Sequence, residues 1–253
     1  MSTLLIRLAG PMQSWGTQSR FSIRDTGLEP SKSGVIGLLC AALGKPREEN
    51  PGDEAHWPSL FTLAALNMGV RVDRIGSMKR DFHTALDVAK AGGGIKDCEL
   101  STRYYLADAD FLVGLESGDE TLLQKLAWAL GHPVWPLSLG RKSFVPSVPV
   151  HSPDGLRSVP LLRALKDAPW FTRTPSERRR KMAEIEQGER DERPVRLRIV
   201  LDAAFGATPD VRCDVPLSFA ERRFTIRHVK MDWAVLTSDM IQEELSCLST
   251  SHV

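Results

Sequence analysis

Apolar residues fill Thr3-Leu4-Leu5-Ile6-Arg7-Leu8 almost without a break, which predicts a buried strand. Gly10-Pro11 ends it, because that pair disrupts both ladder hydrogen bonding and helix. A polar loop then leads to Pro30-Ser31-Lys32-Ser33, an apolar run from Gly34 to Leu43, and the stop Gly44-Lys45-Pro46. Serine caps, an apolar body and a glycine–proline end predict the first helix. Pro58 to Leu66 suits another short helix, and Met68-Gly69-Val70-Arg71-Val72-Asp73 alternates as a half-buried strand does. A third strand is expected from Ala109 to Glu116. Ser117-Gly118-Asp119 caps a helix from Glu120 to Leu130, which Gly131 and Pro133 end, and Val134 to Leu139 supplies a fourth strand. The order strand, helix, strand, strand, helix, strand is the split βαβ arrangement of ferredoxin-like and RNA-recognition domains, an α+β class. That arrangement hosts unrelated functions, so the site has to decide.

Two regions fall outside this frame. Arg74 to Ala107 is an insertion between strands two and three, centred on Ala91-Gly92-Gly93-Gly94 and flanked by Lys79, Arg80, His83 and Arg103, which suits a projecting arm. Past Val150 the chain turns proline-rich and then charge-dense from Ser176 to Arg193, a solvated helix or a mobile linker. Val195 to Leu201 and Arg223 to Arg227 predict strands of a smaller C-terminal sheet.

Composition narrows the function classes. With 42% hydrophobic and 26% charged residues the chain is an ordinary globular protein. Its net charge of +1 means that any polyanion site is a local patch. The longest apolar run, Val35 to Leu43, is far shorter than the roughly 20 residues of a membrane span, and Met1-Ser2-Thr3 leads directly into a strand, so a cytoplasmic protein is expected. Cys40, Cys98, Cys213 and Cys247 are widely spaced and are read as structural thiols. The histidines are scattered too, so no metal centre is expected. No phosphate-cradling G-x-x-x-x-G-K-[ST] loop is present.

Four segments carry candidate chemistry. Gln13, Ser14 and Trp15 lie between Gly10 and Gly16, where they either approach a nucleic-acid backbone and stack a base or form a turn whose tryptophan plugs the core. Ser31-Lys32-Ser33 opens the first helix, where exposed N–H groups and the dipole favour an anion, or simply caps it. Gly140-Arg141-Lys142-Ser143-Phe144 joins adjacent cations to a hydroxyl and an aromatic, a set suited to phosphate contact and stacking. Around Arg223, Thr225 and Arg227, period-two alternation predicts a strand cationic on one face and apolar on the other, where Phe224 and Ile226 point. Arg178-Arg179-Arg180-Lys181, among glutamates, reads as a solvated face. Metal-free RNA cleavage would need a general base and acid, for which His83, Lys79, Tyr104 and Tyr105 are the candidates.

Taken in order, Leu5–Gly16, Pro30–Leu39, Arg80–Ala85, Arg103–Ala109 and Leu139–Phe144 resemble the CasD family of type I-E CRISPR Cascade subunits, within the repeat-associated RAMP superfamily. The resemblance covers much of residues 1–150. It implies a ferredoxin-like RAMP domain over 1–150 with a β-hairpin thumb at about 74–107; the match fades from residue 151, where the residues themselves read as a β-rich region over 151–253 with a charged linker at about 176–193. It also implies a non-catalytic subunit of an antiviral ribonucleoprotein complex that holds the 5′ handle of the crRNA. CasC backbone subunits and the large subunit CasA would be its neighbours, CasB and CasE would complete Cascade, and target DNA would be met indirectly. RNA contacts are then expected from Gln13, Ser14, Trp15, Lys32, Ser33, Arg80, His83, Arg103, Arg141, Lys142, Ser143, Arg223 and Arg227, with no catalytic residue, cofactor or metal. Related type I-C proteins cleave precursor RNA, so a metal-independent endoribonuclease using His83 is the competing reading. A purely architectural subunit is the third.

Overall fold

A computed structural model of the protein describes residues 1–18, 22–50, 52–90, 92–204, 206 and 210–244. In chain order its elements are β1 (Ser2–Ala9), β2 (Met12–Gln13), β3 (Ile23–Arg24), α1 (Lys32–Leu43), α2 (Leu60–Ala64), β4 (Asn67–Arg74), β5 (Ser77–Ala89), β6 (Ile95–Ala107) and β7 (Asp110–Ser117). There follow α3 (Glu120–Gly131), β8 (His151–Arg157), α4 (Leu161–Asp167), β9 (Trp170–Thr172), α5 (Pro175–Arg190), β10 (Arg196–Ala203), β11 (Val211–Ser218), β12 (Arg223–Val235) and β13 (Ile241–Glu243). The fold is α+β, with more strand than helix.

Seven strands form one antiparallel sheet in the order β11-β12-β10-β4-β7-β1-β8. Its centre is covered on both faces. Leu4, Ile6, Leu8, Met68, Val70, Phe111 and Val113 pack under Val35 and Leu39 of α1 and Leu123 and Leu126 of α3. Leu5 and Leu112 point the other way, toward Leu161 and Leu165 of α4, in a cluster that continues through Leu197, Ile199 and Leu201 of β10. Burial on both sides accounts for the unbroken apolar run of β1, and each such side chain contributes roughly 1.5–3 kcal/mol.

Three sequence expectations change. The fourth strand is not Val134–Leu139. Pro136 there has no N–H to donate, and the chain instead closes the end of α1, with Val134 N donating to Ala42 O and Trp135 N to Ala41 O. The fourth strand is β8, whose Pro153, Asp154 and Gly155 disguise it; as an edge strand with a register shift against β1 it tolerates them. The C-terminal strands form no separate sheet, because β10 pairs with β4 and extends the N-terminal one. The charged stretch is helix rather than linker: Thr174 accepts the Glu177 N–H at its start, and Ile185 and Gly188 face inward.

The insertion is an antiparallel hairpin of β5 and β6, paired from Ser77↔Ala107 to Ala89↔Ile95. Among the described residues, strands brace only its base. β2 pairs with β6 at Met12↔Ala107 and Gln13↔Leu106, and β3 at Ile23↔Thr102 and Arg24↔Arg103.

Candidate nucleic-acid interface

The loop after β1 turns its polar and aromatic groups inward. Gln13 is fully buried, and its Nε2 donates to Leu8 O and Ala109 O, 2.9 Å each, joining the ends of β1 and β7. Its Oε1 accepts from Trp15 Nε1 at 3.1 Å. Trp15 is 1% exposed and lies against α1 where Gly34 has no side chain; a Cβ there would stand 2.8 Å from the indole. The expectation that Gln13 and Trp15 touch RNA is therefore corrected: they lock the loop to the sheet and to α1.

The start of α1 is likewise occupied from within. Asp214 Oδ2 accepts the Lys32 backbone N–H at 2.8 Å, taking the place an external anion would use, and Lys32 Nζ pairs with Asp202 at 2.8 Å. Arg227 binds Asp214 Oδ1 at 2.7 Å and Oδ2 at 2.9 Å, and also reaches Asp202. Lys32 and Arg227 therefore do not face RNA as the sequence suggests, because these carboxylates satisfy them inside the fold. Ser33 is half-buried beside the Ser31 hydroxyl. Arg223 is exposed but paired with Glu221. The two-faced reading of β12 is inverted at this end: Arg227 points inward to carboxylates while Phe224 and Ile226 are exposed.

Of the predicted set, Ser14, Arg103 and Arg141 line one cleft of about 380 Å³ at the base of the hairpin, together with Gly16, Arg24, Asp25, Gly34 and Gly140. The backbone geometry is tight. Gly140 adopts φ +94°, and a Cβ there would fall 1.8 Å from Ser14 O, so only glycine lets the 139–144 loop seat against the β2 loop. Ser14 N donates to Leu139 O, and Leu139 and Phe144 close the loop by their own hydrogen bond. This holds Arg141 over the Phe144 ring, 4–6 Å being the range of a cation–π contact, with Nη2 donating to Tyr104 O at 2.8 Å. Lys142 and Ser143 project from the same loop into solvent.

Three guanidinium groups thus share one recess. Among the described residues, Arg24, Arg103 and Arg141 have no carboxylate within 4.0 Å. Burial first, then the field of Arg103 and that of Arg24, pull the Arg141 pKa below its ordinary value, against Asp81 and Asp25. Clustered cations without a carboxylate partner are a cost that a polyanion relieves. Sequence reasoning missed Arg24, because a two-residue strand has no readable period; only its register with Arg103 reveals its place.

Along the hairpin, Lys79, Asp81 and His83 share a face with Tyr105, Arg103 and Ser101, the residues opposite them. Arg80 and Phe82 point to the other face with Tyr104 and Thr102, and Phe82 is 68% exposed. His83 and Lys79 are four residues apart on one strand, about 13 Å at ~3.3 Å per residue, while Tyr104 is on the opposite face. Lys79 and Tyr105 are cross-strand neighbours, but His83 lies four residues further along, so the histidine does not converge with the other three candidates.

Cys40 is buried, and burial pushes its thiol up to about 12, whereas Cys98 and Cys213 are exposed rather than structural. Cys247 lies outside the described residues. Among the described residues no three histidine, cysteine or carboxylate groups gather to hold a metal ion, and no helix is long and apolar enough to cross a membrane.

A family model described as CRISPR-associated protein (Cas_Cas5) matches residues 3–230. The chain is 35% identical over 148 residues to the Escherichia coli (strain K12) protein called CRISPR system Cascade subunit CasD. That match takes in 56% of this chain and 66% of the relative, just under two thirds of its length. Two solved structures are similar over nearly the whole chain. One, described as "Crystal structure of Cas protein", is 42% identical with a TM-score of 0.66, covering 96% of this chain and 98% of its own. A chain of a "CRISPR RNA-guided surveillance complex" is 33% identical with a TM-score of 0.69, covering 94% and 92%.

Proposed function

The chain belongs to the Cas5 family of CRISPR-associated proteins, and from that premise we propose that it is a non-catalytic subunit of a Cascade-type surveillance complex, type I-E, which grips the 5′ handle of the crRNA in cytoplasmic antiviral defence. The observation that carries this reading is the recess with Arg24, Arg103 and Arg141 at the foot of the hairpin. Guanidinium groups present several N–H donors each to phosphate oxygens, and a charge-assisted hydrogen bond is worth about 1.5–3 kcal/mol. Lys79, His83 and Lys142 extend the same polar surface.

The strand order supports the finer fold reading. β8-β1-β7-β4, with α1 between β1 and β4 and α3 between β7 and β8, is the order of a ferredoxin-like domain, and the β5/β6 hairpin is its thumb. CasC and CasA are the proposed neighbours, with CasB and CasE elsewhere in the complex and target DNA met only through the guide. A binding role is favoured over His83-based cleavage by the separation of His83 from Lys79, Tyr104 and Tyr105, since a base and an acid must both reach one ribose.

The test is photo-crosslinking of a handle RNA carrying 4-thiouridine in the assembled complex. Adducts are expected on peptides containing Arg24, Arg103 and Arg141. Adducts confined to other surfaces, or repeat-specific cleavage in chelator that disappears in His83→Ala, would overturn the proposal.

A further inference from the structure

Among the described residues, no strand pairs with the outer edge of β12 beyond β11. β11 begins at Val211, opposite His228, while β12 continues along β10 to Val235, opposite Arg196. Val229 N donates to Asp210 O on the β11 side, and Leu236 N to Val195 O on the β10 side. Main-chain groups of an antiparallel strand alternate sides, so Met231, Trp233 and Val235 direct theirs outward, away from β10. In keeping with this, Trp233 N donates to the carboxylate of its neighbour Asp232, at 2.6 Å.

The same residues also expose their side chains: Met231 58%, Trp233 49% and Val235 47%. A row of large apolar groups beside outward-facing main chain is what sheets generally avoid at an edge unless something covers it. The flank is cationic. Arg196, opposite Val235, and Lys230 are exposed and, among the described residues, have no carboxylate within 4.0 Å. Asp232, the one acid on this stretch, is tied to Lys166.

We propose that this edge receives an extended segment of a protein partner as an added strand, with apolar residues at alternate positions and carboxylates facing Arg196 and Lys230. The main-chain groups supply the hydrogen bonds, displacing Asp232 from the Trp233 N–H, and the apolar row supplies register. RNA suits the edge poorly, since three apolar side chains in sequence offer phosphates nothing. A second copy of the chain would set the cationic flank against its own image. The inference rests on the reading that the chain works within a multi-subunit complex.

Hydrogen exchange of residues 229–236 tests it, measured in the isolated chain, in the chain with repeat RNA, and in the assembled complex. Protection is expected in the complex alone. Met231→Pro, which removes an outward N–H without breaking the β10 ladder, and Trp233→Lys, which removes the central apolar group, should each reduce incorporation by about tenfold, the scale of a lost interface anchor. Both should keep a cooperative melt, and Trp233→Lys decides the matter where the proline variant does not fold. Protection by repeat RNA alone, protection that rises with concentration of the isolated chain, or an edge that exchanges freely in the complex would each overturn the inference. Loss of handle binding on substitution of the three cleft arginines, with this edge still unprotected, would leave the proposed function standing and remove only this one.

Discussion

Arg227 and Arg103 are both arginines on strands, yet their surroundings demand opposite behaviour. Arg227 is 10% exposed between Asp202 and Asp214, so Arg227→Ala should destabilise the fold by about 3–5 kcal/mol, because Asp214 loses its counterion and Asp202 keeps only Lys32. Arg103 has no such partner, and Arg103→Ala should change stability by no more than about 0.5 kcal/mol. Urea denaturation of both variants distinguishes them; equal losses would contradict the division into structural and interfacial arginines. His151 gives a pH test. Among the described residues its buried Nδ1 has no hydrogen-bond partner, and burial, aided by the field of His132, holds its pKa below the usual value. The unfolded chain therefore takes up the proton first, so the stabilising contribution is complete above about pH 6.5 and is lost as pH falls through the folded value. The Tm of His151→Phe should depend less steeply on pH between about 7.5 and 5, and an unchanged slope would exclude His151 as a source of acid sensitivity. At this scale the sequence marked Gln13, Trp15 and Lys32 as special but left their direction open. Whether a polar side chain faces inward depends on partners such as Asp214 that are remote in sequence.

Between residues and the whole lie the elements, where regular period made most boundaries readable. β1, α1, β4, β7 and α3 all follow their apolar patterns, because each is packed against a broad core. β8 was hidden since an edge strand need not be apolar, and Val134–Leu139 misled because its first backbone N–H groups cap α1 instead of joining a sheet. The hairpin was located by its glycine tip, but its bracing was not legible, as β2 and β3 are two residues each. That bracing defines where it divides. Joining Phe82 directly to Thr102, its cross-strand partner, through Asn-Gly keeps the pairs with β2 and β3 and removes the free distal part. The shortened protein should melt within a few degrees of the intact one yet lose most incorporation into the complex with guide RNA. Normal incorporation, followed by size-exclusion chromatography, would deny the distal hairpin a role in assembly.

Across the whole molecule, one sheet runs from β8 to β11, so the C-terminal strands are rigidly continuous with the N-terminal core. Arg227 of β12 and Asp214 of β11 fix the start of α1, whose Gly34 receives Trp15, and the Trp15 loop in turn seats the 139–144 loop that carries Arg141. Residues remote in sequence thereby position the cleft, which is why the recess as a whole could not be read from any single motif. The central claim is that this cleft grips RNA phosphates. Its most direct test is the salt dependence of handle-RNA affinity for complexes carrying the intact chain or the Arg24→Ala, Arg103→Ala, Arg141→Ala triple variant. Each lost phosphate contact on a single strand should reduce the slope of log affinity against log salt by about 0.7, so three contacts predict a slope shallower by about 2 together with weaker binding. Unchanged affinity and slope in a complex that assembles normally would contradict the account.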